Sequence, residues 1–230
     1  MPPEDLSLRM GRRRFVAAAS AALSSLILLP GCSFGVMFNR MILGDPKVPA
    51  EFRNMTKIDL TKGEHTVMVI CSTPAAVDDD LSTLKLDLID GITRRMKLNG
   101  VEVIDPDHVA TWLDDHGGFR DPSELAEDFD VHFIAWIDVQ QFSFREDNSP
   151  KLLRGRCAGF VRVYRVDPSG DNGFKFTSNV YESEFSSTYP RLQPLSETGR
   201  SGVLFRKEYV GRVCDHLAEK FYDHRPGGDF

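Results

Sequence analysis

Apolar positions recur along this chain with the periods of strand and helix in turn. Thr66–Cys71 (TVMVIC) is an unbroken, largely β-branched apolar run closed by Pro74. That is the pattern of a strand covered on both faces, and therefore of a central one. Asp78-Asp79-Asp80 opens a helix to about Lys97, with Leu81, Leu84, Leu88, Ile92 and Met96 on one face and Gly100 as its stop. The three acids suit the positive end of a helix, and capping explains them without a bound cation. Val101–Ile104 is the next strand, and a strand–helix–strand unit of this length implies a right-handed parallel crossover. Two short helices follow. Asp107 is expected to cap the first, which carries Val109, Trp112 and Leu113; Asp121-Pro122-Ser123-Glu124 announces the second, which ends at Phe129.

Val131–Phe144 is apolar at first and then alternates through Gln140, Phe142 and Phe144, as a strand does when one face meets solvent. After the turn Glu146–Pro150, Leu152–Val166 places Arg154, Arg156, Arg162 and Tyr164 on one parity and Cys157, Gly159, Val161 and Val163 on the other. A dense turn, Asp167–Gly173, leads into Phe174–Phe185, the third strand of an antiparallel meander. Pro190 and Pro194 break the chain before a closing helix from Gly202 to about Asp223, striped by Val203, Val210, Val213, Leu217 and Phe221. The predicted fold class is α/β: a single mixed sheet, in the order β-α-β-α-α-β-β-β-α, with a parallel first part, an antiparallel meander and helices covering the sheet. Phe142, Phe144, Phe160 and Tyr164 amount to more aromatic area than a monomer leaves in water, so they either contact a partner or lie under the closing helix.

The start of the chain has a different pattern. Arg12-Arg13-Arg14 precedes Phe15–Leu29, an apolar run interrupted by Ser20, Ser24 and Ser25 and shorter than the ~20 residues a membrane span needs. A basic patch, a short apolar run and a small residue form an export signal. The arginines also fit a twin-arginine signal, and Met10 offers a cleaner start than Met1. Leu29-Pro30-Gly31-Cys32 resembles the lipobox of bacterial lipoproteins. That resemblance implies cleavage before Cys32, a diacylglycerol on its thiol and an acylated new amino terminus. The organisation expected is a signal peptide over 1–31, a lipidated tether and lead-in over 32–63, and a single α/β domain over 64–230. The lead-in is too apolar to stay solvated: it lies on the bilayer, packs on a protein surface, or covers an edge of the domain's own core.

Losing the first 31 residues takes four arginines and two acids and moves the net charge from −6 to −8. An acidic body argues against nucleic acid as a partner and against electrostatic adhesion to anionic headgroups. Lipid must therefore do the anchoring, each buried methylene contributing ~0.8 kcal/mol. Cys71, Cys157 and Cys214 sit inside apolar periodic segments, as small buried hydrophobes do, with one disulfide as the alternative. The six histidines (His65, His108, His116, His132, His216 and His224) pair with one another at no metal-ligand spacing and none stands beside a Cys-x-x-Cys, so no metal or cofactor is expected.

No catalytic signature stands out. Gly-x-Ser-x-Gly and the phosphate-binding Gly-x-x-x-x-Gly-Lys-Ser/Thr are both absent. Ser72 and Thr73 end the first strand, where α/β folds place ligand groups, and Asp105, Asp107 and Asp138 fall at strand ends on the same side. Convergence of those carboxylates would make a small-ligand or metal site.

The strand phrases Gly100-Val101-Glu102-Val103-Ile104-Asp105, Phe129-Asp130-Val131-His132-Phe133-Ile134-Ala135-Trp136-Ile137-Asp138 and Val161-Arg162-Val163-Tyr164-Arg165-Val166-Asp167, together with the lipidated cysteine, resemble the periplasmic α/β domains of the curli-secretion lipoprotein family and the amino-terminal domain of the Tol-system translocation protein. The resemblance covers about residues 64–222 and implies an envelope scaffold of similar fold, without the amphipathic strand pairs of a pore. The expected function is a membrane-anchored, non-catalytic scaffold or assembly component in the bacterial envelope, its domain facing the periplasm, with protein partners or further copies of itself. The alternative is a lipid-anchored enzyme or small-ligand-binding protein using the strand-end carboxylates.

Overall fold

The computed structural model describes residues 47–75, 77, 81, 83–147, 149–167, 175–199 and 201–226. The signal peptide, Cys32, the tether up to residue 46, the helix opening at Asp78–Asp80 and most of the turn after Asp167 lie outside them.

In chain order the elements are helix α1 (Glu51–Thr56), strand β1 (Thr66–Ser72), α2 (Leu84–Leu98), β2 (Glu102–Val103), α3 (Pro106–His116), α4 (Pro122–Asp128), β3 (Phe133–Glu146), β4 (Ser149–Asp167), β5 (Phe176–Tyr189), β6 (Leu195–Ser196) and α5 (Gly202–Ala218). They build one mixed sheet in the order β2-β1-β3-β4-β5, with β6 added on β4. β1 runs parallel to both neighbours, whereas β3, β4 and β5 form the antiparallel meander. The expected fold class and element order hold. Helix α1 and strand β6 are additions that carry no long periodic signal.

β1 alternates between two cores. Val67, Val69 and Cys71 enter a large cluster with α1, α2 and α5, and Met68 and Ile70 enter a smaller one with α3 and α4. Ala135 and Ile137 of β3 join the first cluster and Ile134 the second. After Thr66, these strands therefore carry no hydroxyl or charged side chain until Ser72 and Asp138, where helix cover ends.

Close approach between layers depends on two glycines. A Cβ on Gly155 of β4 would collide with the Tyr209 ring of α5, and one on Gly91 of α2 would collide with the Cys214 sulfur of α5. Tyr209 is fully buried and donates its hydroxyl to the Ser187 carbonyl of β5 at 3.0 Å. Beside Gly91, Arg95 pairs with Asp215 and donates to the Gly211 carbonyl at 3.0 Å, joining α2 to α5. On the opposite face Trp112 of α3 donates its ring N–H to Asp128 of α4 at 2.6 Å.

The part of the lead-in after residue 47 covers an edge of the core. Phe52 and Leu60 are fully buried, and Val48 pairs with His224 near the other end of the described chain. Asp223 accepts from the Ala50 N–H at 2.9 Å and pairs with Arg53, and Lys220 pairs with Glu51 at 2.6 Å. Burial alone would raise the Glu51 carboxyl, but Lys220 and Ser183 hold it below its ordinary value.

Three expectations are corrected. The first short helix is capped by Asp105 rather than Asp107: the Asp105 carboxylate accepts from the Asp107 N–H at 3.1 Å, and Pro106 takes the first helical position, where its missing N–H costs nothing. Val203 is 81% exposed and does not belong to the buried stripe of α5, which instead runs through Phe205, Tyr209, Val213 and Leu217. The helix ends at Ala218, so buried Phe221 packs from the segment beyond it. Of the two alternatives left for the meander aromatics, cover by the chain's own layers is the one found, and they do not form an open face. Phe142 is buried 5.7 Å from the Tyr209 ring, Phe144 packs on the large cluster, Tyr164 packs on the small one, and Phe160 is half-buried under Arg162.

No helix among the described residues is long and apolar enough to cross a membrane. Truncating Val69 or Ile134 to Ala is expected to cost about 2–4 kcal/mol of stability, the range for removing a buried aliphatic. Gly155→Ala is expected to cost about 1–3 kcal/mol by overpacking against Tyr209. Denaturant unfolding checks all three, and a loss below about 1 kcal/mol at Ile134 would contradict the two-core assignment.

Candidate functional site at the strand ends

Parallel pairing puts Ser72 of β1 opposite Asp138 of β3, and Trp136 opposite Ile70 one step earlier on the same face. The three side chains form a hydrogen-bonded chain. The Trp136 ring N–H donates to the Ser72 hydroxyl at 2.8 Å, and that hydroxyl donates to Asp138 Oδ1 at 2.9 Å. The second carboxylate oxygen, Oδ2, pairs with Arg162 of β4 at 2.9 Å.

Arg162 is the hub of this arrangement. Its guanidinium lies 5.5 Å from the Trp136 ring centre and 5.0 Å from that of Phe160, and its Nε pairs with Glu182 of β5 at 3.3 Å. Burial works against the charged guanidinium, but Asp138 and Glu182 outweigh it and raise its proton affinity. Asn179 donates to the same glutamate at 3.3 Å. One cation thus serves two carboxylates and two aromatic faces across three adjacent strands. Both oxygens of Asp138 and the Ser72 hydroxyl are engaged, so the cluster locks β1, β3, β4 and β5 together.

The carboxylates expected to converge are not gathered. Asp105 caps α3, Asp107 lies in the first turn of that helix, and β1 stands between the strands leading to Asp105 and Asp138. No group of three or more His, Cys, Asp or Glu among the described residues is placed to hold a metal. What does open at the strand ends is a crevice of about 570 Å³ beside Ser72 and Thr73. Lys85 of α2 and the Gly117-Gly118 turn after α3 line its other sides. None of the three aspartates lines it. A groove of about 470 Å³ runs between α2 and α5, with Asp87, Asp90, Arg94 and Arg206 along its walls.

Sequence reasoning singled out Ser72 and Asp138 separately and missed their union with Trp136 and Arg162. The placement of Arg162 and Tyr164 on one strand parity was the available signal; the register that sets Trp136 beside Arg162 was not.

The thiols are buried and free. Burial pushes Cys157 and Cys214 up to about 12, and raises Cys71 as well. The neutral thiol is therefore the native form. Below pH 9 this preference stabilises the fold in full; as pH rises from 9 toward about 12, unfolded thiols ionise while folded ones do not, and stability falls. The expected outcome is that Cys71, Cys157 and Cys214 resist a thiol reagent at pH 8 until denaturant is added, as read by mass after labelling. Labelling of any of them in the native state would contradict the burial.

No family model matches the chain, and no curated protein does. Solved structures with a similar arrangement include lipoprotein GNA1162 from Neisseria meningitidis, at 12% identity and TM-score 0.40, over 67% of this chain and 98% of that one. The PelC dodecamer from Paraburkholderia phytofirmans matches at 9% identity and TM-score 0.36, over 69% and 88%. A minor lipoprotein from Acinetobacter baumannii matches at 12% identity and TM-score 0.30, over 70% and 97%. Bacterial lipoproteins are thus among the structural neighbours, and the chain's function has to be read from its own residues.

Proposed function

We propose that this chain is a lipid-anchored protein of the bacterial envelope, held by Cys32 with its α/β domain facing the periplasm, and that it works as a non-catalytic scaffold or assembly component. The observation that carries the second half is the commitment of the strand-end acids. Asp105 is a helix cap, and Asp138 is bound on one oxygen by Ser72 and on the other by Arg162. Asp138, engaged on both oxygens, and Asp105, capping a helix through one, act in holding the fold, and that supports the scaffold reading. The anchor rests on the basic patch, the short apolar run and Leu29-Pro30-Gly31-Cys32. The ligand-binding alternative keeps one observation in its favour, the crevice beside Ser72 and Thr73, although its walls are not the expected carboxylates.

Complementation of a deletion strain, combined with membrane fractionation, tests the reading. Cys32→Ser is expected to move the protein from the membrane pellet to the soluble envelope fraction and to lose complementation. Asp105→Asn and Asp138→Asn are expected to stay in the membrane and to complement. A Cys32→Ser protein that remains in the pellet after a high-salt wash would overturn the anchor. Folded aspartate variants that fail to complement would overturn the scaffold.

A further inference from the structure

Charge is divided unevenly over this domain. Residues 102–130, which span β2, α3 and α4, hold 10 acidic side chains and a single Arg or Lys, Arg120. All 10 acids are exposed. The rest of the chain from Cys32 onward holds 22 acids and 23 bases. The whole acidic excess of the body therefore belongs to the layer over the smaller core, and the remainder of the molecule is close to neutral.

The lead-in enters on the opposite face of the sheet, where α1 packs with α2 and α5 on the large core. Val48 bridges antiparallel to His224, which sets Lys47 opposite Arg225, and both of these cations are exposed. Lys57 is exposed as well, two residues after Met55, which is 58% exposed. Three acids of this region are already taken up: Asp59 by Arg53 and Lys62, Asp223 by Arg53, and Glu51 by Lys220. The entry side thus presents cations and an apolar side chain, and the far layer presents acids.

We propose that the α1 side of the domain docks on a layer of anionic lipid headgroups, with Lys47, Lys57 and Arg225 toward the headgroups and the α3 and α4 layer turned away. This deepens the anchor reading above and rests on it. Lys47 lies 15 residues after Cys32, a reach of at most ~50 Å, so the tether by itself leaves the domain free to turn. Charge selects between the orientations. An anionic surface attracts Lys and Arg, and repels acids, within a Debye length of about 10 Å at 0.1 M salt. The two helix layers stand roughly 20 Å apart across the sheet, taking ~10 Å for each packed layer. With α1 at the surface the acids therefore lie outside that range, whereas the inverted orientation would press them into it. The acidic mean of the body conceals this asymmetry: lipid supplies the attachment, and the distribution of charge sets the face that meets the bilayer.

The test uses the full mature protein reconstituted in phosphatidylcholine vesicles with or without phosphatidylglycerol. A nitroxide is attached to one added cysteine, Met55→Cys on α1 or Glu127→Cys on α4; Cys71, Cys157 and Cys214 are buried and stay unlabelled. In vesicles containing phosphatidylglycerol, the Met55→Cys label is expected to be several-fold less accessible to a neutral aqueous nickel chelate than the Glu127→Cys label. Omitting the anionic lipid, raising the salt, or adding Lys47→Glu and Arg225→Glu with unchanged circular dichroism is each expected to abolish that difference. Vesicle flotation reads the anchor separately: protein that fails to float would remove anchor and proposal together. Floating protein with both labels equally open, with the Glu127→Cys label the more shielded, or with a difference that survives omission of the anionic lipid would overturn the proposal and leave the anchor standing.

Discussion

Two neighbouring parallel strands that must be dry on both faces are what the rest of this structure depends on. β1 and the first half of β3 present apolar side chains up and down, and no single layer of helices can cover them. The chain answers with α1, α2 and α5 on one side and α3 and α4 on the other. Nearly every other feature is a consequence of fitting those layers closely. Gly155 and Gly91 lack side chains where α5 meets β4 and α2, and Arg95 and Trp112 bind helix to helix within each layer. The lead-in and the end of the chain close over the remaining edge through Phe52, Asp223 and Lys220.

Polar chemistry begins where that cover stops. At the ends of β1 and β3 an indole N–H, a hydroxyl, a carboxylate and a guanidinium come together at partial burial. A polar group withdrawn from water without a partner costs more than a hydrogen bond returns, so each has acquired one. Trp136, Ser72, Asp138, Arg162 and Glu182 form a connected series rather than a cleft. At the position favoured for ligands in α/β folds, Ser72 and Asp138 are held by structural hydrogen bonds beside the crevice that Thr73 and Lys85 line, and that engagement supports the proposal of an assembly component.

Much of the fold was legible because its signals are local. Thr66–Cys71 could be recognised as a doubly buried strand from its composition, and the turn formers at Asp121-Pro122 marked α4 from the chain alone. Misreadings arose where the deciding contact is distant or where two local signals compete. Val203 lies seven residues before buried Val210 and shares its helical face, but it borders the open groove between α2 and α5 and stays in solvent. Asp107 and Asp105 are both capping residues, and only the extended backbone at Asp105 selects between them. Phe142 alternates as a solvent-facing residue would, but the bulge between Val139 and Gln141 resets the parity of β3 and turns it into the large cluster beside Tyr209. The Ser72–Asp138–Arg162 cluster joins three strands, and its register is set by pairing across residues far apart in sequence.

Native-state amide hydrogen exchange tests most directly the claim that the doubly covered strands hold the fold. The amides of Met68–Cys71 and Ile134–Ile137 are expected to exchange only through global unfolding, with a free energy equal to that from denaturant, whereas α4, on the outer face of the smaller core, opens earlier by local fluctuation. Exchange of the β1 amides together with α4, well below the global unfolding free energy, would contradict the account.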